Sequence, residues 1–555
     1  MTRDNGAADQ NILTRLGPAM LAAQYAAGFW RDDTLYSLAR AHAEAVPERV
    51  AIRDSHCALT YAELVHLADR IGAELIAAGL RPGDRVAAWL SNRVELAPLL
   101  LACSGQGLVL CPSLHRNHTV AEIATLAQRM RARVLVTEVG HGADAGQASI
   151  AEAVAGQAHL IRHVELPAPV VRGPEDIRRM LAPGDGAPPG AAGHADDIVY
   201  LAFTSGTSGE PKGVLHSNNT LLANARALAR DWEFDDTSVI YSLSPLSHNL
   251  GFGALVLSLL AGGTMVLHDA PRGAGLLDRI RECGVSFLFG VPAHAMDLVA
   301  EIDRRGAGDL GTLKGFRISG AAVSEATVEK LMAHGVVPQS GYGMTEGCSH
   351  HYTLPDDPKE RILGSSGTAC AGYEVRIFDI DDPDRPLATG ETGHIGGRGA
   401  SLMLGYFGDQ EATERAFNRQ GWFMTGDLGV LDGDGYLRVT GRIKEIIIRG
   451  GHNIQPALIE RLAMRHPALS GVAVVPVADD RLGERVCIVV STDAETGIEP
   501  ADLLAHLAAE GLSRYDMPEY FLRVPELPTS ANGKVLKRHL VAAIAAGDLQ
   551  PVSVR

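Results

Sequence analysis

From residue 60 to about residue 400, helical periodicity alternates with short runs that are apolar at nearly every position. Thr60 and Glu63 have capping-box spacing, and Leu64, Leu67, Ala68, Ile71 and Leu75 recur at helical intervals. Gly79 can end that helix, Arg81-Pro82-Gly83-Asp84 turns the chain, and Arg85–Leu90 reads as a strand. A helix near Val94–Cys103 and a strand at Leu108–Cys111 repeat the unit. Strands apolar on both faces need cover on both faces, which crossover helices between parallel strands provide. The fold class is therefore α/β: a large N-terminal domain of mostly parallel sheets flanked by helices. Phe252–Leu267 is the most apolar stretch and reads as a buried helix followed by a buried strand. Interrupted by Gly253, Gly262 and Gly263, it falls short of the about twenty residues that a membrane span needs. Residues 172–197, rich in Gly, Pro and Ala, read as an exposed, mobile linker. Short strands and turns follow from 400 to 440, and the last 110 residues read as a small α+β unit. In it, helices near Pro456–Arg465 and Ala501–Glu510 flank strands at Val472–Val477 and Val486–Val490, and a polar turn occupies 529–534.

The formal net charge is −16, which argues against a nucleic-acid partner, because such binding draws on phosphate neutralisation. Seven cysteines show no CxxC pair, consistent with a reducing compartment and no structural zinc. The N-terminus lacks a secretory pattern and the C-terminus a lipidation or peroxisomal signal, so a cytoplasmic location is expected. Lysine is scarce, seven residues in all, so a lysine kept in a glycine-rich turn stands out as a candidate functional cation.

The strongest local signal is Tyr200-Leu-Ala-Phe-Thr204-Ser205-Gly206-Thr207-Ser208-Gly209-Glu210-Pro211-Lys212-Gly213. An apolar strand runs into a loop of hydroxyls and glycines closed by a cation. Glycines admit an anion close to the backbone, N–H and hydroxyl groups donate to it, and Lys212 adds charge. This is phosphate chemistry without the Walker spacing.

This loop resembles the signature loop of the adenylate-forming superfamily, which holds acyl-CoA synthetases, nonribosomal adenylation domains and luciferases. Six further segments resemble that superfamily's other motifs, in its order. They are Arg317-Ile-Ser-Gly320-Ala321-Ala322, Ser340-Gly341-Tyr342-Gly343-Met344-Thr345-Glu346, Gly426-Asp427-Leu428, Gly441-Arg442-Ile443-Lys444-Glu445, Gly450-Gly451-His452-Asn453-Ile454 and Pro528-Thr529-Ser-Ala-Asn532-Gly533-Lys534. The resemblance covers about residues 30 to 540. It implies an N-terminal adenylation domain at 1–440, a hinge at 441–445 and a mobile C-terminal domain at 446–555, with ATP held between the two domains.

What the resemblance implies for chemistry is an acid activated in two steps. A carboxylate attacks the α-phosphate of ATP, pyrophosphate leaves, and a thiol takes the acyl group from the adenylate. Two anions must meet, so cations and donors are needed at the transferring group. Lys534 is expected to bridge the acyl oxygen and the α-phosphate. Thr204, Ser205, Gly206, Thr207 and Lys212 are expected to cradle phosphate. Thr345 is a phosphate contact and Glu346 a Mg²⁺ ligand, since Mg²⁺ takes few carboxylates beside phosphate oxygens. Tyr342 is expected against adenine, with Gly320, Ala321 and Ala322 as the other wall. Asp427 suits the ribose hydroxyls and Arg442 a second ribose or phosphate contact. Lys444 sits at the hinge, and Gly450 and Gly451 leave a passage for the pantetheine arm of CoA. Lys537, in the same terminal segment, reads as a solvated surface charge.

The acid is expected behind His248, a gate residue in acyl-CoA-forming relatives. Its pocket would be walled by Asn249–Ala254, the Val291-Pro292-Ala293 turn and Gly341–Met344, with Asn249, Gly253, Gly341 and Gly343 singled out. Apolar and small residues there suit a medium-chain or alicyclic acid. Asn249 pulls toward an alternative, a stand-alone hydroxybenzoate-type enzyme that loads a separate carrier protein; a non-enzymatic nucleotide sensor and a luciferase are weaker rivals. Cys348 has no histidine fixed by spacing and is not read as a nucleophile; His350 and His351 read as pocket or surface residues. The reading is an AMP-forming acid–CoA ligase using ATP, Mg²⁺ and CoA, as a monomer or homodimer.

Overall fold

The Thr60–Glu63 box forms as its spacing requires. The Glu63 amide donates to Thr60 Oγ1 at 3.2 Å and the Thr60 amide to Glu63 Oε2 at 2.8 Å, starting the helix Tyr61–Ala77. The structure is a computed structural model that describes residues 13–184, 190–204, 211–270, 275–306, 309–320, 323–492, 497–529 and 535–554.

Among the described residues two large sheets dominate. In one, Arg85–Trp89 lies parallel between Val109–Cys111 and Ala132–Glu138, and Ile198–Thr204 adds parallel to Val109–Cys111. In the other, Val50–Arg53, Thr264–Leu267, Val239–Ser242, Phe287–Gly290, Gly315–Ser319 and Val337–Met344 run parallel in that spatial order. Antiparallel strands occur only at the edges of both, so the mostly parallel architecture read from the alternation is present. The apolar stretch near residue 260 is the helix Asn249–Ala261 followed by the strand Thr264–Leu267. Gly262, at φ +76°, makes the left-handed turn between them. A four-stranded antiparallel sheet spans Tyr373–Arg442, and a separate sheet begins at Ile447 and carries the C-terminal unit. Among the described residues no helix is long and apolar enough to cross a membrane.

The linker expected at 172–197 needs correction. Pro174–Leu181 is a helix with Pro at its start, and Ile177 and Leu181, four residues apart, are buried. Arg172 is also buried, paired to Asp54 Oδ2 at 2.7 Å and Glu95 Oε1 at 2.6 Å. Arg93 joins Glu95 from the other side at 2.6 Å. Burial alone would raise the Glu95 carboxyl, but the two guanidinium groups outweigh it and hold it below the usual range. Averaging composition over the segment hid one helical turn of core and one buried ion network.

Candidate active site

Thr204 and Lys212 are paired residues of an antiparallel hairpin, Ile198–Thr204 against Lys212–Ser217. The expected phosphate loop therefore closes a hairpin and does not open a helix. Ser205, Gly206 and Thr207 within it lie outside the described residues, as do Ala321, Ala322 and Lys534. Lys212 Nζ stands 4.8 Å from the centroid of the Tyr406 ring, and the Tyr406 hydroxyl donates to Glu346 Oε1 at 3.0 Å. Lys212 and Glu346, 134 residues apart in sequence by subtraction of their numbers, thus meet at one aromatic ring. Burial pushes the Glu346 carboxyl above its ordinary value. Thr345, next to it, accepts through its carbonyl from the buried His216 Nε2 at 2.7 Å. Sequence reasoning missed Tyr406 and His216, and neither lies in a motif with a readable chemical pattern.

A second group joins strands of two sheets. Tyr342 donates its hydroxyl to Asp427 Oδ2 at 2.7 Å, while Arg442 Nε lies 3.0 Å from Asp427 Oδ1. Asp427 and Arg442 are cross-strand partners of an antiparallel pair, which puts both side chains on one face. Burial, followed by the Asp427 charge, raises the Tyr342 phenol well above its usual value, so it stays a donor. Gly426, at φ +80°, lets the chain turn just before Asp427, and its amide donates to His394 Nε2 at 2.9 Å. Gly320 is exposed with φ +100°, where a side chain would be strained.

His248 is at the N-terminus of the helix Asn249–Ala261, its ring stacked on His115 at 4.2 Å and 15°. His115 Nδ1 lies 3.1 Å from Ser247 Oγ, and His118 stacks beyond at 5.4 Å. Burial lowers His248 to about 4 and, with the neighbouring rings, His115 to about 2. Both rings are therefore neutral near pH 7. His115 and His118 carried no signal in the sequence beyond their identity.

A cavity lies between the helices Asn218–Asp231 and Asn249–Ala261, the second of which starts directly after His248. Leu221, Asn224, Ala225 and Leu228 line it from the first helix; Asn249, Leu250, Gly253, Val256 and Leu257 line it from the second; Phe289, Cys348 and Ser349 complete it. Its volume is about 20 Å³, room for about one water molecule unless these side chains turn aside. A Cβ on Gly253 would meet nothing within 4 Å. The expected walls are corrected in part: the Val291-Pro292-Ala293 turn, Gly341 and Gly343 do not line this cavity. Gly341 is pressed against Arg317 and Gly343 against the Cys348 carbonyl, so their smallness serves the packing of adjacent strands. Asn249 Nδ2 donates to the Met344 carbonyl at 3.3 Å, so this donor is already engaged. Cys348 is buried and its thiol is pushed up to about 12, which leaves it un-ionised. His350 and His351 are not surface residues: both are fully buried, with Nδ1 atoms 2.8 Å apart.

The family model for AMP-binding enzymes matches residues 39–407, and the model for their C-terminal domain matches residues 458–534. The chain belongs to the AMP-binding enzyme family. It is 29% identical over 515 residues to the medium-chain fatty-acid–CoA ligase of Escherichia coli (strain K12), covering 92% of this chain and 90% of that protein. It is 32% identical over 515 residues to a feruloyl-CoA synthase of Amycolatopsis sp, covering 91% and 98%. The crystal structure of ATP-bound MatB from Rhodopseudomonas palustris is 28% identical with a TM-score of 0.79, covering 92% of this chain and 99% of that one. The chain is an adenylate-forming acid–CoA ligase that binds ATP.

In this AMP-binding enzyme, Lys444 is exposed within the short 3₁₀ turn Ile443–Glu445 that joins Arg442 to the C-terminal sheet. Gly450 and Gly451, at φ +58° and +86°, form the exposed turn between the strands Ile447–Arg449 and His452–Ile454. Lys537 is not a solvated charge. Its ammonium lies 2.7 Å from Glu445 Oε2 and 2.8 Å from Glu460 Oε1. Burial would lower it, but Glu460 and Glu445 outweigh this and raise it. The residue directly after Lys444 is thereby tied to two helices of the C-terminal unit, Pro456–Ala463 and Lys537–Ala546.

Proposed function

We propose that the ligase activates a medium-chain or alicyclic carboxylic acid and transfers it to CoA. The observation that carries this reading is the cavity between the helices Asn218–Asp231 and Asn249–Ala261: aliphatic on both sides, opened at Gly253, with the Asn249 amide already bound to Met344. The acid carboxylate attacks the α-phosphorus, the bond to pyrophosphate breaks, and a thiol then displaces AMP from the acyl carbon. Asp427 accepts from the ribose hydroxyls through the lone pairs that Tyr342 and Arg442 leave free, and Tyr342 lies along adenine. Lys212, Thr204 and Thr345 face the phosphates. Glu346, held by Tyr406, would offer a single carboxylate to a magnesium ion that arrives with ATP, and one carboxylate fits an ion that prefers few protein ligands. Bound with ATP, magnesium neutralises phosphate charge. Lys534 bridges the carboxylate and the α-phosphate in the first step. We place the boundary between an N-terminal adenylation domain and a C-terminal domain at the hinge residues 441–445, with rotation at Lys444 bringing Gly450 and Gly451 to the site for CoA.

The test is pyrophosphate release over alkyl, alicyclic and aryl acids, with and without CoA. Medium-length alkyl or cyclohexane-type acids should exceed acetate and 2,3-dihydroxybenzoate in kcat/KM, with acyl-CoA as product. Dihydroxybenzoate as best substrate, with adenylate released only to a carrier protein, would replace this reading by the aryl-acid one.

A further inference from the structure

Arg317 is wholly buried, yet its Nε and Nη2 atoms have no hydrogen-bond partner among the described residues. Nη1 alone is anchored, donating to Gln339 Oε1 at 2.5 Å. The Tyr352 ring faces the guanidinium at 5.4 Å, and no carboxylate pairs with it among the described residues. A buried charge left this way is costly, and a native chain normally meets it with an anion or a full set of acceptors. Burial pushes the group down to about 10, so it remains a cation near pH 7.

The two unpartnered atoms are informative in themselves. Nε and Nη2 form the side-on edge of a guanidinium, where two N–H bonds run parallel and match the two oxygens of a carboxylate. Gln339 holds the opposite corner, so that edge is presented in a fixed orientation.

Its location is also informative. Arg317 pairs with Phe289 in a parallel ladder, so both side chains stand on one face of the sheet. Phe289 lines the acid cavity, and so do Cys348 and Ser349. The strands Gly315–Ser319 and Val337–Met344 lie between those two walls. On the second of them, a Cβ on Gly341 would come within 2.7 Å of Arg317 Nη2. The arm of Arg317 thus crosses a glycine toward the Cys348–Tyr352 strand, on the same face of the sheet as Phe289.

We infer that Arg317, which stands one strand from Phe289 behind the cavity lining, is a specificity residue that takes a second, anionic oxyacid group at the far end of the substrate once the lining side chains turn aside. The preferred acid then has an alkyl or alicyclic body and ends in a carboxylate or sulfonate. This rests on the acid cavity assigned above.

The experiment compares acids of matched length on the full chain with ATP and CoA: hexanoate, hexanedioate and 6-sulfohexanoate, then octanoate and octanedioate. The wild type should favour an end-capped acid over its plain counterpart at least tenfold in kcat/KM. A carboxylate preference over sulfonate identifies a planar second group, and the reverse a tetrahedral one. Arg317→Met should lose at least tenfold on the end-capped acids and keep the plain ones within about threefold. If Arg317→Met does not fold, the wild-type ranking decides alone. Plain acids turning over while end-capped acids do not, or equal loss of both in Arg317→Met, overturns the assignment of Arg317 and leaves the acid cavity standing. No pyrophosphate from any acid of either series overturns the cavity reading as well.

Discussion

The two halves of the site are built on opposite principles. Among the described residues proposed to meet the nucleotide, both carboxylates have partners from distant segments: Asp427 with Tyr342 and Arg442, Glu346 with Tyr406 near Lys212. On the proposed acid side the walls are mostly apolar, and the nearby polar groups Arg317 and His248 keep atoms without a partner among the described residues. Phosphates and ribose are the same in every turnover, so the residues that meet them are restricted to particular donors and acceptors at particular places. An alkyl body asks only for volume, which many side-chain combinations supply.

The sharpest way to test that division is at the residue expected to meet both substrates. Lys534→Ala should cost about 10²–10³ in the adenylation rate, the size of one lost transition-state donor. Conversion of a pre-made acyl-adenylate with CoA should survive if, as proposed, the C-terminal face rotates away after the first step. Equal loss of both half-reactions, measured by pyrophosphate release and by thioester formation, would remove Lys534 from the role.

The hinge should give the mirror image. Proline fixes φ and removes an N–H, so Lys444→Pro should obstruct the swing. Adenylation should be retained and thioester formation should fall by about tenfold or more. Lys537 ties Glu445 to the C-terminal helices, so the proposed pivot at Lys444 sits just ahead of that anchor. Normal overall turnover in Lys444→Pro would place the rotation elsewhere.

The same division explains what the sequence made legible. The parallel architecture followed from runs apolar on both faces, and the residues proposed for the nucleotide were chosen by the types that phosphate and ribose demand. The helix Pro174–Leu181 was hidden because two core residues were diluted in a Gly-, Pro- and Ala-rich window. Lys537 was misread because its partners, Glu445 and Glu460, are 92 and 77 residues away by subtraction of their numbers. Tyr406, His115 and Arg317 acquire meaning only from strand order and ring contact. The cavity walls were only partly foreseen because the helix Asn218–Asp231 joins them through packing.

On the acid side, Gly253→Leu should act on length and not on ATP. The site at Gly253 is open, so the larger side chain projects into the cavity without a backbone clash. Each methylene excluded removes about 0.8 kcal/mol of burial, a severalfold change in KM per carbon. The preferred acid should shorten by about two to four carbons, the volume of the added side chain, with KM for ATP unchanged. An unaltered chain-length profile would move the pocket away from this helix.

The smallest effect concerns the stacked rings of His115 and His248, just ahead of the helix that lines the cavity. His115 and His248 are neutral because burial disfavours their charge. Their folded values, about 2 and about 4, lie below the roughly 6.5 of an unfolded histidine. Between those values the unfolded chain binds more protons than the folded one, so this stability is fully present above about pH 6.5 and is lost as pH falls toward 4. His115→Phe keeps an aromatic ring against His248 and removes one titration. Its melting temperature should therefore fall less steeply than that of the wild type between pH 6.5 and pH 4. Parallel curves would show that His115 is solvated when folded, and the acid side would then lack the unpartnered polar groups that separate it from the nucleotide side.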